Sequence, residues 1–349
     1  MAERDDLLTA IAGTISTYRQ GELAVPTPAH VDRWASQFTA TDQLPFLREF
    51  NHVMHQTFLT KAAVTGFLAN LVRNPQLAGN DPVAYWTRAN VLQIQQRGQS
   101  QREMVKLFTE TLQQQCGLQL QNCGAADGDY IYLDDVMFTG SRIATDLEDW
   151  ISKKAPVKAL IHIIVMAFHS SGHYYLTTNR LKKAIQASGK NIALRFWRMA
   201  EFENQKIRKN ISEVLWPTVV PADAAVQEYV ASEPNFPLDP RVPGGKFRIF
   251  SSEAGRQILE REFLIAGVHI RSMTAEPKPS HRPLGFSRFG VGFGSLIATY
   301  RNCPNNCPLA MWWGDATATS GALNWYPLLP RKTYSSFENV FNDFEDLTI

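Results

Sequence analysis

Cysteine is scarce in this sequence. The thiols Cys116, Cys123, Cys303 and Cys307 are the only four in 349 residues. Their spacing fits neither a disulfide framework nor paired C-x-x-C zinc ligands, so the expectation is reduced thiols in a cytosolic compartment. Long apolar runs are missing too. The longest, "ALIHIIVMAF" from Ala159 to Phe168, is well short of the ~20 residues a membrane-spanning helix needs. It reads as a buried strand, and no membrane association is expected. The stretch "MAERDDLLTAIAG" carries early acids and no long apolar segment, so a secretory leader is not expected. Neither sign of charge is in large excess: the net charge of +2 gives no overall pull towards nucleic acid. Repeats and low-complexity tracts are also lacking. What remains, 44% hydrophobic and 19% charged residues, is the balance of a globular chain with a substantial core.

The pattern changes twice along the chain. Residues 1–80 read as a helical layer. "RDDLLTAIAGTISTYRQ", "PAHVDRWASQF", "LPFLREFNHVMHQTFLT" and "KAAVTGFLANLVRN" carry apolar residues at helical spacing, separated by Pro and Gly breaks. Residues 81–216 alternate strands with helices. "ANVLQIQ", "DYIYLDDVM", "ALIHIIVMAF" and "NIALRFWRM" are the expected strands. "REMVKLFTETLQQQ", "RIATDLEDWISKK" and "TNRLKKAIQAS" are the expected helices, with "HSSGHYY" as a loop. This order implies an α/β fold with a mostly parallel sheet flanked by helices. Residues 217–349 form an irregular α+β part. It holds a helix at "SSEAGRQILEREFLIAG" and late strands at "GVGFGSLIATY" and "PLAMWWG".

Chemistry concentrates in "DYIYLDDVMFTGSRIATDLEDW", Asp129 to Trp150. Asp134 and Asp135 fall at the carboxyl end of a strand, where open α/β sheets bind ligands. Thr139, Gly140 and Ser141 follow at the turn into a helix. Free N–H groups and the helix dipole favour an anion there, typically phosphate. Gly140 lets the backbone approach the ligand, and the two hydroxyls can donate to phosphate oxygens. Two carboxylates beside such a turn suit a partner that offers hydroxyl donors. Together they describe a site for ribose 5-phosphate.

The same string resembles the phosphoribosyl-diphosphate signature of the type I phosphoribosyltransferases. The resemblance implies that Asp134 and Asp135 hold the ribose 2′- and 3′-hydroxyls and help organise Mg²⁺. It implies that Thr139, Gly140 and Ser141 bind the 5′-phosphate. Phe138 stands where the family often has a second Thr. Arg142 replaces a small hydroxylated residue, but its planar fork can still bind phosphate. Gly98, Gln99, Ser100 and Gln101 in "VLQIQQRGQSQREM" fall where the family keeps its diphosphate loop. Ser100 could equally be a plain helix cap.

The strings "PLGFSRFGVGFGSLIATYRNCPNNCPLAMWWGD" and "NWYPLLPR" are similar to phosphoribosyltransferase-like proteins of bacterial conflict systems, including effectors encoded beside retron reverse transcriptases. That resemblance runs from about Tyr85 to Arg331. It implies an anti-phage toxin acting at ribose C1′ of phosphoribosyl diphosphate or a ribose-phosphate nucleotide. The alternatives are an inactive nucleotide sensor, or an assembly subunit on a reverse transcriptase with its RNA/DNA product.

His169 and His173 flank "SSG" after the strand and are candidate acid or base groups, with ordinary loop histidines as the plainer reading. His162, inside the strand, reads as a satisfied core residue. Arg180, Lys182, Lys183 and Lys190 form a basic helical stretch whose plainer reading is a solvated face. Arg241, Lys246 and Arg248 surround a Gly-Gly turn that could fold over a ligand.

Overall fold

Several helix starts are written as capping residues. Thr27, Asn74, Asp81, Asp223 and Ser252 each accept a hydrogen bond from a backbone N–H two or three residues on, and Pro follows the first three. The structure is a computed structural model that describes residues 2–331, apart from 97, 234–236, 246, 288 and 289. In chain order the elements begin with α1 (Ala2–Thr14), α2 (Pro28–Ala35), α3 (Gln43–Thr57), β1 (Phe58–Leu59), α4 (Lys61–Val72), α5 (Pro75–Ala78) and α6 (Pro82–Arg88). Next come β2 (Asn90–Val91), α7 (Ser100–Cys116), β3 (Tyr130–Met137), α8 (Ser141–Lys153), β4 (Lys158–His169), α9 (Ser170–Tyr175), α10 (Leu181–Ser188) and β5 (Asn191–Phe202). The chain continues with α11 (Ala224–Ala231), α12 (Glu253–Ser272), β6 (Ala298–Thr299) and α13 (Leu309–Trp312).

The described chain forms two compact units. One runs from Lys61 to Arg208 and holds the sheet. Among the described residues β2, β3, β4 and β5 lie side by side in that order, every pair parallel. α7, α8 and the α9–α10 segment make the crossovers between successive strands. Ile143, Leu147 and Ile151 of α8 and Leu181 of α10 pack with Ile161, Ile163 and Val165 of β4. The near-continuous apolar run of β4 is thereby explained: its residues from Ile161 to His169 are all buried. His162 is a satisfied core group. It accepts from Trp197 Nε1 through Nδ1 at 2.8 Å, and its Nε2 lies 3.2 Å from Asp129 Oδ2.

The other unit takes the residues up to Thr60 and those from Lys209 onward. Trp34, Phe38, Phe46, Phe50 and Phe263 form an aromatic cluster joining α2, α3 and α12. The two-residue strands β1 and β6 pair in parallel. Arg241 and Arg256, both buried, pair with Glu260, and Arg241 also pairs with Glu253. Arg248 is paired with Glu213, so Arg241 and Arg248 are both committed within the fold. Lys246 lies outside the described residues.

Three expectations need correction. "PLAMWWG" is not a strand: α13 occupies Leu309–Trp312, started by Pro308. A short apolar run does not separate a buried helix from a buried strand. The segment 290–300 yields only the two residues of β6, because Gly290, Gly292 and Gly294 adopt positive φ and interrupt extension. "HSSGHYY" is helical as α9, and Asn204 Oδ1 accepts from Ser171 N at its first turn.

Candidate active site

β3 delivers two adjacent acids to the carboxyl end of the sheet. Asp134 sits level with Val165 of β4, and Met137 with Phe168. Successive strand residues point to opposite faces, so the two carboxylates have different surroundings. Asp134 is 4% exposed, and its Oδ1 accepts from Asp135 N at 2.9 Å. Burial, and then the neighbouring Asp135, push its pKa up to about 6, while Arg142 and a hydrogen bond from Ser100 oppose the rise. Asp135 is half-buried, and its Oδ1 accepts from Val136 N at 2.7 Å.

The turn after β3 leaves the first N–H groups of α8 without a side-chain cap. Ser141 N donates to Thr139 Oγ1 at 3.4 Å, a long contact, and Thr139 Oγ1 donates to Ser141 Oγ at 3.2 Å. Gly140 has φ +74°. A Cβ there would lie 3.1 Å from Leu176 Cβ and 3.2 Å from Gly172 O. Gly172 of α9 packs against the same turn so closely that a Cβ would meet Phe138 O at 1.9 Å. Two glycines therefore let the turn and α9 lie backbone to backbone.

The loop after β2 folds onto α8. Arg142 Nη1 donates to Ser100 Oγ at 3.3 Å, and a Cβ on Gly98 would lie 3.2 Å from that nitrogen. Two glutamines clamp the loop. Gln101 Oε1 accepts from Ile94 N and Gln95 N, each at 2.8 Å. Gln95 accepts from Gln101 N at 3.1 Å and donates to Ser100 Oγ at 3.0 Å. Gln96 N donates to Asp146 Oδ1 at 3.2 Å, and Tyr132 OH donates to Asp146 Oδ2 at 2.9 Å. A buried carboxylate on α8 thus ties the loop to the sheet.

The model of the PRTase-CE family matches residues 31–331. The chain belongs to the PRTase-CE family. It is a phosphoribosyltransferase-like protein, in keeping with its parallel four-stranded sheet flanked by helices. No curated protein matches it, and no solved structure does.

In this PRTase-CE chain, then, Asp134, Ser100, Gly98 and Arg142 gather at one place, with Thr139, Gly140 and Ser141 forming the adjoining turn. Gln99 holds the residue position before α7 and makes no side-chain cap. Ser100 is the first helical residue rather than the cap, and its hydroxyl serves Gln95 and Arg142 instead. His169 ends β4 fully buried, its ring stacked on Phe138 at 5.1 Å and tilted against Phe202 at 5.8 Å. Burial drives its pKa down to about 3, so it is neutral near pH 7. His173 packs its ring on Phe168 and edge-on to Phe196, both at 4.6 Å, and burial lowers its pKa. In the basic stretch Arg180 pairs with Glu148 and Lys190 Nζ donates to Ile151 O, while Lys182 and Lys183 are exposed on a solvated face. Gln95 and Asp146 were not evident from sequence, and Gln101, expected in a diphosphate loop, serves as a clamp on the backbone. The only trace is the density of amides in "QIQQRGQSQ" and an acid one helical turn after Arg142.

Proposed function

We propose that this chain binds phosphoribosyl diphosphate, or a ribose-phosphate nucleotide, at the carboxyl edge of its sheet and acts at C1′ of the ribose. The observation that carries the reading is the uncapped start of α8 at Gly140, flanked by two hydroxyls and Arg142, directly after the paired acids of β3. The N–H groups of α8 with Thr139 and Ser141 would take the 5′-phosphate. Asp135, half-exposed, would accept from a ribose hydroxyl, and Asp134 would fix Ser100 and Arg142 while reaching the second. Gly98, Ser100 and Arg142 would cradle the diphosphate.

Two neighbouring carboxylates fit Mg²⁺, which is usually held by one or two acids together with substrate phosphates. Among the described residues no group of three metal-binding side chains competes with that arrangement. Asp134 and Asp135 would help organise the ion indirectly, through the ribose and diphosphate oxygens that bind it, and when bound it supplies charge neutralisation on the diphosphate. The C1′–O bond breaks with its electron pair leaving on diphosphate. An acceptor or water forms the new bond and gives up a proton.

The biological role we propose is that of an effector in an anti-phage, retron-type system, in which turnover harms the cell through a nucleotide. The test is to incubate the protein with phosphoribosyl diphosphate, Mg²⁺ and a nucleobase or nucleotide pool, and to follow diphosphate and new products by mass spectrometry. Diphosphate release that Asp135→Asn abolishes supports the enzyme. Tight binding with no release in any pool favours a sensor. Release unaffected by Asp135→Asn contradicts the assignment of the site.

A further inference from the structure

Charge is segregated along this chain. Residues 150–200 hold nine lysines and arginines and no acid, while the rest of the chain holds 26 of the 35 cations against all 33 acids. The near-neutral total therefore hides a basic segment within an acidic remainder. That segment builds β4, α9, α10 and β5, and β5 is the outermost strand of its sheet. Three of the nine cations are neutralised by acids just outside the segment: Lys153 by Asp149, Arg180 by Glu148 and Arg198 by Glu201. Lys154, Lys158, Lys182, Lys183, Lys190 and Arg195 make no ion pair among the described residues.

Part of this charge has a local answer. Lys154 directly follows α8, and Lys190 Nζ donates to Ile151 O in its last turn at 2.6 Å. The carbonyl end of a helix favours cations there. Lys182 and Lys183 have no such answer. α9, a π-helical turn (Leu176–Arg180) and α10 form one unbroken helical run from Ser170 to Ser188, and the two lysines stand well inside it. Leu176 and Leu181 are its buried side. Tyr174, Tyr175, Thr178, Lys182, Lys183 and Gln186 are exposed. Tyr175 hydrogen-bonds with Arg180. Tyr174 is 62% exposed, and its ring meets no other ring among the described residues. The exposed side therefore carries a free aromatic ring and two lysines, roughly 14 Å apart along the axis at 1.5 Å per residue, with no carboxylate between them.

Lysines beside an open aromatic ring suit a strand whose phosphates meet the cations and whose unpaired bases stack on the ring. A duplex keeps its bases stacked inside and would leave the tyrosine unused. We propose that the exposed side of the Ser170–Ser188 run binds single-stranded nucleic acid, with Lys182 and Lys183 on phosphates and Tyr174 against a base. The proposal does not rest on the ribose-phosphate reading, because none of these side chains belongs to that site.

Fluorescence anisotropy tests it on the full chain, with labelled oligouridine and oligothymidine of about 20 nucleotides, longer than a typical site, and a duplex of the same length. The variants are Lys182→Gln with Lys183→Gln, Tyr174→Ala and, as a control of equal charge outside the segment, Lys61→Gln with Lys106→Gln. All these side chains are exposed. The expected result is saturable binding of single strands tighter than about 100 µM at low salt. The Lys182/Lys183 pair should weaken it about tenfold and lower the slope of log affinity against log salt by about 1–2. Tyr174→Ala should weaken it about fivefold or more, and the control pair less than about twofold. Tighter binding of one oligomer, with the same variant pattern, identifies RNA or DNA as the ligand. The proposal is overturned if neither single strand binds more tightly than about 1 mM. It is also overturned if the control pair costs as much as the Lys182/Lys183 pair, or if Tyr174→Ala changes nothing and the duplex binds as tightly as the single strands.

Discussion

Asp134 and Asp135 share one strand end, yet one is buried and the other half-buried. The pKa of Asp134 rises from the ordinary 3.8 to about 6. The folded state therefore holds the proton more tightly than the unfolded chain does, and stability is lost as pH rises through about 6. A neutral isostere removes that loss. Asp134→Asn should raise stability at pH 8 by about 1–3 kcal/mol, with the gain vanishing near pH 4, as read by urea unfolding at both pH values. A gain independent of pH would show that the carboxylate is not the cause. Gly140 is the other residue with a definite expectation. At φ +74°, with Leu176 Cβ and Gly172 O close by, an alanine should cost about 1–2 kcal/mol. Denaturant midpoints should record that cost alongside weaker binding of phosphoribosyl diphosphate.

At the scale of elements, the loop between β2 and α7 is shaped by side-chain amides rather than by the sheet ladder. Gln101 Oε1 takes Ile94 N, which a longer β2 would have given to β3 after Asn90 N and Leu92 N, and takes Gln95 N as well. Gln101→Leu leaves both N–H groups without that acceptor, at about 1–3 kcal/mol for the buried Gln95 N and less for the half-buried Ile94 N. It should lower the unfolding midpoint and weaken ligand binding together; a variant of unchanged stability would refute the clamp. The same glutamine explains a limit of sequence reading. "VLQIQ" alternates like a strand, but only Asn90–Val91 pair. β3, β4, β5 and α8 were legible because their apolar periodicity agrees with where they are buried. α13 was not, since four apolar residues and two tryptophans fit a helix or a strand equally. α9 was hidden by its small and polar composition. The acids and the Thr-Gly-Ser turn could be read directly from their order in the chain. The clamp that positions the neighbouring loop could not, because it depends on contacts made only after folding.

For the whole molecule, acid should be the weak side. His169 and His281 have pKa values lowered to about 3 and about 4 by burial, against about 6.5 in an unfolded chain. The unfolded state therefore binds protons first as pH falls. The stability these residues support is complete above about pH 6.5 and declines below it. The melting temperature should drop between pH 7 and pH 5, and His169→Phe, which keeps a ring on Phe138, should flatten the drop. A slope unchanged in that variant would assign the acid sensitivity to other groups. The central claim at this scale is that the parallel sheet of a PRTase-CE chain carries a ribose-phosphate site at its carboxyl edge. Its most direct test is calorimetric titration of phosphoribosyl diphosphate with Mg²⁺ into the full chain and into Asp135→Asn. One saturable site in the former, weakened at least tenfold in the latter, is the predicted result. Absence of binding to the unmodified chain, or equal binding to both, would contradict the claim.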